Sequence, residues 1–316
     1  MSRTSLMHRL TAPALGILVL SFCTLASAGT PGESGFLSLR TAVGAREAAM
    51  GGAGVALSRG AAAVYWNPAL LVFEENGTDL LLQHQRMWGL FDKETASIAH
   101  RTDLGALGFM FSGFYAEEME RYEEVNVGVP LGTFRPYQVA LGFSYARKIS
   151  ETFAAGAMIK LLHEEIDMYG DTGLAYDLSI AHKAIIEGLW FGASLNHFGQ
   201  GLTLNSESYP LPTILRVGMA FDPAHDIFAD KVTLAGDIVF PNDGNSKAHV
   251  GVEYRMVPAL ALRFGTKINY TSQGLTAGAG FTRGDITVSY AYQDALNDLG
   301  DGHRFALEMG FGSGDF

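Results

Sequence analysis

The strongest constraint on the fold is an alternation of apolar and polar side chains that recurs along most of the chain. In PALALRFGTKINY (residues 258–270), large apolar residues occupy most alternate positions from Leu260 to Tyr270, and small or charged residues lie between them. A period of two residues is typical of a β-strand with two different faces, and about eleven residues can cross a bilayer as a strand. The pattern therefore predicts a strand of membrane-spanning length.

Segments of the same kind fill the chain between Thr78 and Phe311, and short stretches rich in Gly, Pro, Asp and Asn separate them. About fourteen can be distinguished, although a loop explains Val125–Thr133 equally well. Bacterial barrels contain an even number of antiparallel strands, so we predict fourteen strands rather than twelve. Phe311 and Phe316 are the two candidates for the terminal aromatic residue of the last strand.

The composition indicates that the apolar residues lie in strands and not in membrane-spanning helices. The chain is 48% hydrophobic and contains 38 glycines. No run of about 18 uncharged apolar residues follows the N-terminal segment, so membrane-spanning helices are not expected. Two environments accept so many apolar strands, namely the core of a large soluble sandwich and the lipid of a bilayer.

The second face of the strands favours a membrane barrel over a sandwich. It carries small residues and a few charges of both signs, which suits a narrow polar lumen. The apolar face carries aromatic residues such as Tyr145 and Tyr254 near strand ends, as at membrane interfaces. We therefore predict an all-β fold, a transmembrane antiparallel β-barrel. The charged residues expected to face the lumen are Arg216, Asp237, Glu253, Arg263, Lys267, Arg304 and Glu308.

These lumen charges have two interpretations. In the first, the basic residues pair with Asp237, Glu253 and Glu308 and hold the interior of the barrel together. In the second, they meet a carboxylate head group or a signal on a protein cargo. We favour the first, because buried charges are usually paired with opposite charges.

The first 28 residues have the pattern of a secretory signal peptide: basic residues, an apolar core over Leu10–Leu20, and the small residues Ala26-Ser27-Ala28. The only cysteine, Cys23, lies in this segment, and Phe22 before it argues against a lipoprotein. We expect export and a location in the bacterial outer membrane. The net charge of −11, which becomes more negative without this segment, disfavours a nucleic-acid partner.

A glycine-rich stretch precedes the strands and is too broken for a spanning helix and too apolar for a surface loop. It consists of FLSLRTAVGAREAAMGGAGVAL (36–57) and AAAVYWNPALL (61–71). These segments resemble the N-terminal signature of the PorV/PorQ family of outer-membrane barrels, which is related to the FadL long-chain fatty-acid transporters. The matching positions are Gly44-Ala45-Arg46, Met50-Gly51-Gly52-Ala53, Val55-Ala56 and Trp66-Asn67-Pro68-Ala69.

The resemblance implies a fourteen-stranded barrel whose N-terminal segment folds into the lumen. It also implies two functions, passage of hydrophobic molecules across the outer membrane or an accessory role in type IX secretion without a conducted ligand. Ser58-Arg59-Gly60 and Leu70 depart from the family pattern, which has acidic residues and Gly there. The residues that we assign to the plug or to ligand contact are Gly44, Arg46, Met50, Gly51, Gly52, Trp66, Asn67 and Pro68.

The chain is therefore divided into a signal peptide (1–28), an N-terminal plug segment (29–77) and a transmembrane barrel (78–316). Asn67 and Pro68 predict the start of a short helix, because Asn caps helices and Pro fits their first position. The expected partners are outer-membrane lipid and either a hydrophobic small molecule or secretion-system proteins.

The chain contains no catalytic, phosphate-binding or cysteine metal motif. We predict a protein that is not an enzyme and needs no cofactor or metal, and an outer-membrane hydrolase is only a distant alternative. The acidic residues of 117–124 predict a long extracellular loop that can contact partners. The cluster His163-Glu164-Glu165 with Asp167, and the pair Asp298 and Asp301, have the oxygen ligands that calcium prefers. Solvated loops explain both groups better.

Deletion of residues 36–71 tests the plug interpretation. We expect a barrel that still inserts into membranes but is leaky or inactive, because the lumen loses its filling. Liposome swelling and heat-dependent gel mobility measure permeability and insertion. Unchanged permeability and function in the deletion variant would show that the segment is not a plug.

Overall fold

The computed structural model describes residues 32–75, 77–122, 128–223, 231–295 and 300–312. Within these ranges, 14 antiparallel strands form one closed barrel. The first and last strands close it, with Thr78 opposite Phe311 and Met87 opposite Gly302. The predicted fold class is confirmed. The predicted signal peptide and Phe316 lie outside the described residues.

The described part of the chain forms 18 strands. Their order is β1 (Gly77–Met87), β2 (Phe91–Thr102), β3 (Gly105–Ala116), β4 (Met119–Arg121), β5 (Gly132–Phe134), β6 (Tyr137–Lys148), β7 (Phe153–Ile166), β8 (Tyr169–Lys183), β9 (Leu189–Gly199), β10 (Leu202–Leu204), β11 (Glu207–Tyr209), β12 (Ile214–Phe221), β13 (Val232–Pro241), β14 (Lys247–Val257), β15 (Leu260–Ile268), β16 (Gln273–Arg283), β17 (Ile286–Ala295) and β18 (Gly302–Gly312). Two pairs, β4–β5 and β10–β11, form hairpins outside the barrel. Of the ambiguous segment Val125–Thr133, the described residues 128–133 contribute to hairpin β4–β5 and to none of the barrel strands.

Alternation along each strand separates an outer apolar face from an inner face of small and polar residues. In β6, Phe143 and Tyr145 are exposed on the outside, whereas Ser144 and Ala146 are buried on the inside. This is the arrangement expected when lipid surrounds the barrel and a filled lumen lies within. None of the helices in the described part of the chain has the length and apolar character needed to cross a bilayer.

The two ends of the barrel differ. We call the end where β1 begins and β18 ends the turn end, and the opposite end the loop end. The connections at the turn end include the tight β2–β3 and β16–β17 turns. Both hairpins, β4–β5 and β10–β11, lie at the loop end.

Residues 34–75 lie inside the lumen and are mostly buried. We call residues 34–43 the strap and residues 44–75 the plug. Their only regular elements are 3-10 helices at Leu37–Arg40, Gly60–Ala62 and Pro68–Phe73, and short α-helices at Ala45–Ala49 and Ala63–Trp66. Most of the plug main chain therefore has to find hydrogen-bond partners outside regular structure.

Glycines in the plug and in the barrel wall allow the two backbones to touch. A Cβ atom on Gly265 would overlap the main chain of Met50 and Gly51, and one on Gly251 would overlap Met50. Gly51 itself has a φ of 74°, which favours glycine. Direct contact between main-chain atoms at these positions fixes the plug against strands β14 and β15.

The substitution Gly265→Ala tests this contact. We expect the added methyl group to displace the plug and to destabilise the protein by about 1–3 kcal/mol, as overpacking usually does. The matched control is Gly236→Ala, because Gly236 lies on the outer face and its nearest contact to a new Cβ would be an ordinary 3.6 Å. Thermal unfolding in detergent measures both, and equal midpoints for the two variants would contradict the tight contact.

Candidate functional site

Inward-facing side chains of the barrel bind the plug through its main chain. The Asp237 carboxylate oxygen Oδ2 accepts hydrogen bonds from the amides of Gly54, at 2.9 Å, and Val55, at 3.0 Å. Gln83 Oε1 accepts one from the amide of Gly44 at 2.7 Å. These side chains replace the partners that a helix or sheet would otherwise supply.

Two further strands, β14 and β16, also bind the plug main chain. Thr276 Oγ1 accepts from the Gly51 amide at 3.0 Å and donates to the Ala49 carbonyl at 2.8 Å. His249 Nδ1 donates to the Gly52 carbonyl at 2.8 Å. The glycine-rich turn is therefore held from several strands, and its position is fixed by many partners rather than one.

The Trp-Asn-Pro segment is a junction between plug and wall. Asn67 Oδ1 accepts from the Ala69 amide at 3.1 Å, and Pro68 occupies the first position of the following helix, as predicted. Asn67 Nδ2 donates to the carbonyls of Val55, at 2.8 Å, and Ile180, at 2.9 Å. Asn67 therefore joins two parts of the plug to strand β8.

Arg46 forms a paired charge group with Glu253 and Arg263. Its guanidinium binds both carboxylate oxygens of Glu253, with N–O distances of 2.9 and 2.8 Å, and Arg263 Nε lies 2.6 Å from the same carboxylate. Burial alone would lower the pKa of Arg46, but the charge and hydrogen bonds of Glu253 raise it. Arg46 therefore stays charged and anchors the plug electrostatically.

The seven predicted lumen charges all lie on inner faces, but only Arg263 and Glu253 pair directly with each other as expected. Arg216 donates instead to Asn196 at 2.7 Å, and Lys267 donates to Gln273 at 2.7 Å. The predicted pairing is therefore present at Arg263 and Glu253, whereas Asp237 accepts from plug amides. Arg304 is buried among the inner-face residues, and Glu308 lines a cavity of about 290 Å³ at the turn end.

Two residues of the strap belong to a buried apolar cluster near the loop end of the lumen. Phe36 and Leu39 are only 2% and 3% exposed. Phe36 has a φ of 51°, an uncommon conformation for a residue other than glycine. The other buried members of the cluster come from β6, β7, β8 and the region of hairpin β10–β11, and they are Ala140, Leu162, Ala175, Leu202 and Leu211.

The strap is held by hydrogen bonds to its carbonyl oxygens. Lys93 Nζ donates to the Ser38 carbonyl at 3.0 Å and to Thr41 Oγ1 at 2.5 Å. Tyr65 Oη donates to the Leu39 carbonyl at 2.7 Å. Lys93 is 1% exposed, and its hydrogen-bond partners among the described residues are uncharged oxygen atoms of Ser38 and Thr41. Lys93 was not among the residues predicted from the sequence, although the alternation places it on the inner face of β2.

A second missed residue is His197, which belongs to a buried polar network. Lys160 Nζ donates to Asp177 at 2.5 Å and lies 2.8 Å from His197 Nδ1. The register between β8 and β9 shifts beside Asp177, and His197 has a φ of 61°. This bulge turns His197 into the lumen, where strict alternation would place it outside.

No metal site is evident among the residues that the structure describes, since no three His, Cys, Asp or Glu side chains are arranged around one point. In the predicted acidic group, His163 hydrogen-bonds to Thr172 at 2.9 Å, and Glu164 contacts Gln138 at 2.5 Å. Glu123, Glu124 and Asp298 lie outside the described residues.

No family model and no curated protein sequence matches this chain. Solved structures do match. The Ralstonia pickettii toluene transporter TbuX has a TM-score of 0.62 and 16% identity, over 85% of this chain and 98% of that one. The Pseudomonas putida toluene transporter TodX has a TM-score of 0.62 and 14% identity, over 90% and 100%.

A Pseudomonas aeruginosa FadL homologue is also similar, with a TM-score of 0.56 and 10% identity over 85% of this chain and 98% of that one. The fold is that of FadL-type transporters. At such low identity the likeness extends to the fold alone. It agrees with the FadL part of the resemblance, while membership of the PorV/PorQ family is not shown.

Acidification tests how the strap is anchored. Asp243, in the β13–β14 loop, binds Arg40 and accepts from the Ser34 amide at 3.2 Å. Burial would raise the pKa of Asp243, but the hydrogen bonds and charge of Arg40 and Ser34 lower it. A lowered pKa in the folded state means that this stabilisation is complete above about pH 4 and is lost as the pH falls further.

We therefore expect the strap to loosen below about pH 4. A spin label on Leu37→Cys, in a Cys23→Ser background, reports strap mobility by electron paramagnetic resonance. Asp243→Asn removes the titrating group, so this variant should be mobile at neutral pH and insensitive to acid. A strap equally rigid in both proteins between about pH 3 and pH 7 would rule out this anchor.

Proposed function

We propose that this protein is an outer-membrane barrel that binds and passes hydrophobic molecules carrying a polar head group, and that the strap occupies the binding site when no such molecule is bound. The observation that carries the proposal is the apolar cluster around Phe36 and Leu39, which the chain fills with its own residues. A ligand that replaced these two side chains would find an enclosed apolar surface.

The proposed orientation places the turn end in the periplasm and the loop end outside the cell. Bacterial barrels have short periplasmic turns and longer external loops. Hairpins β4–β5 and β10–β11 would then lie outside, and the strap cluster would be the first part of the lumen that an external molecule meets. Outer-membrane lipid would surround the exposed apolar face.

The contacts of the strap indicate the chemistry of the head group. When the strap leaves, Lys93 and Tyr65 lose the carbonyl oxygens to which they donate. A buried donor without an acceptor is costly, so a ligand with oxygen atoms at this position is favoured over a pure hydrocarbon. TbuX and TodX are described as toluene transporters, and the proposed ligand differs from toluene in this head group.

We propose that the strap moves and the plug stays. The plug is fixed by main-chain contact with Gly251 and Gly265 and by carboxylate and hydroxyl acceptors on several strands. The strap depends mainly on a few side-chain hydrogen bonds that a ligand can replace. The proposed plug boundary, residues 29–77, therefore contains two parts with different roles.

The accessory role in type IX secretion stays a prediction from the N-terminal signature, as does membership of the PorV/PorQ family. Neither is favoured by a specific contact among the described residues. Gentle extraction from native membranes followed by mass spectrometry separates the candidates. A bound amphiphile supports passage, and a stable protein partner with an empty lumen supports the secretion role.

The substitution Lys93→Met tests the head-group contact. We expect the preference for decanoate over decane to fall about 10- to 100-fold, because a hydrogen bond to a charged carboxylate contributes about 1.5–3 kcal/mol. Quenching of tryptophan fluorescence in detergent measures both affinities. Thr95→Val is the matched control, since Thr95 is buried on the same face of β2 two residues away.

The result can also go against the proposal. Equal losses for decanoate and decane would mean that Lys93 only maintains the fold. No binding of either molecule to the unmodified protein, at concentrations where a FadL homologue binds, would exclude passage of amphiphiles as the function.

A further inference from the structure

A cavity between the plug and the wall at the turn end is lined mainly by carboxylates. Its volume is about 290 Å³. We call it the acidic cavity. Its acidic residues come from the plug, from β1 and β18 and from the β16–β17 turn, and they are Glu47, Glu74, Asp79, Asp285 and Glu308. The exposed Asp285 places the rim of the cavity at the surface of the turn end.

The two arginines that line the acidic cavity have partners elsewhere. Arg46 binds both carboxylate oxygens of Glu253, which is not a lining residue. Arg59 Nη1 donates to the main-chain carbonyls of residues 56–58 at 2.9–3.1 Å, and its guanidinium carbon lies 4.6 Å from the centre of the Trp190 ring. Five carboxylates and two guanidinium groups give the lining a formal charge of −3.

Two of the five acids already have donors. Glu74 Oε1 accepts from the Gly60 amide at 2.9 Å, and Asp79 forms an ion pair with Arg101. Since Asp285 is exposed, water can solvate its carboxylate. The two acids that remain are Glu47 and Glu308.

Glu47 and Glu308 face the acidic cavity without partners. Glu47 is 2% exposed, and its Oε2 atom accepts no hydrogen bond. No hydrogen bond or ion pair joins Glu308 to another described residue, and the two carboxylates lie within electrostatic range of each other. A buried carboxylate that has no partner and is close to a second one is costly. The pair therefore requires a cation.

The shape of the charge distribution indicates the kind of cation. Among the described residues, no three acidic or histidine side chains surround one point, as the ligands of a metal ion do. The carboxylates instead follow the length of a cavity that is much larger than the 10–15 Å³ a single water needs (about one probe sphere). Ala61, Leu80 and Met309 also line it and offer apolar contacts to methylene groups.

We propose that the acidic cavity binds a linear diamine or polyamine, with one ammonium group between Glu47 and Glu308 and another towards Asp285 at the rim. Each ammonium group has three N–H donors for carboxylate oxygens. Glu47 belongs to the plug and Glu308 to β18, so the bound cation joins the plug to the wall. The inference goes beyond passage of an amphiphile and does not depend on it, because the strap cluster lies towards the other end of the lumen.

Calorimetric titration with 1,4-diaminobutane tests the site in the full-length protein, in a neutral detergent at pH 8. A proton shared by the two carboxyl groups is the competing way to neutralise them. We expect the diamine to bind at least about tenfold more tightly than 1-aminobutane, which lacks the second ammonium group. Mg²⁺, which has the same charge at one point, should also bind at least about tenfold more weakly than the diamine.

The substitution Glu308→Gln should weaken diamine binding about tenfold. The matched control is Glu75→Gln, which removes the same charge from an exposed residue at the same end that does not line the acidic cavity. Without diamine, the Glu308→Gln variant should unfold at the same temperature as the unmodified protein or a higher one, because the repulsion of Glu47 is removed. Thermal unfolding thus separates loss of the site from loss of the fold.

Four results would overturn the proposal. Absence of diamine binding at pH 8 would make the shared proton the neutralising species, and equal affinity for Mg²⁺ would indicate a metal ion. Equal losses in the Glu308→Gln and Glu75→Gln variants would mean that the diamine only follows the net charge. A lower unfolding temperature of the Glu308→Gln variant would show that Glu308 already has a stabilising partner. None of these results bears on decanoate binding at the strap.

Discussion

The structure depends on hydrogen bonds between inward side chains of the barrel and the main chain of the plug. A buried amide or carbonyl without a partner costs about 1–3 kcal/mol, and the plug has little regular structure of its own. Asp237, Thr276 and His249 supply the missing partners to its glycine-rich turn. The alternation of each strand is therefore what allows an irregular segment to be buried, because it presents polar groups inside and apolar groups to lipid.

Two kinds of packing divide the N-terminal segment. Along the plug, glycines of the wall meet main-chain atoms directly, so there is no soft side chain that can give way. Along the strap, large side chains such as Phe36 and Leu39 occupy a cluster that other apolar groups can fill. A plug that is fixed to the wall and a strap that other apolar groups can replace thus lie next to each other within residues 34–75.

Local patterns were sufficient for part of the structure. Periodicity predicted the barrel and its strand number, and the Asn-Pro pair predicted the helix start at Asn67. They were insufficient for the partners of the lumen charges. Alternation assigns Asp237 to the inner face but does not reveal that plug amides lie opposite it. Lys93 binds carbonyl oxygens, which any residue type can provide, and His197 enters the lumen only because the register shifts at a bulge.

The glycine contacts also bear on assembly. The plug touches strands on both sides of the β1–β18 seam, from Gln83 on β1 to the strands of the C-terminal half. With main chain against main chain there is no clearance for threading a folded plug through a finished ring. The N-terminal segment, which is synthesised first, must therefore already lie within the unclosed sheet when the last strands arrive.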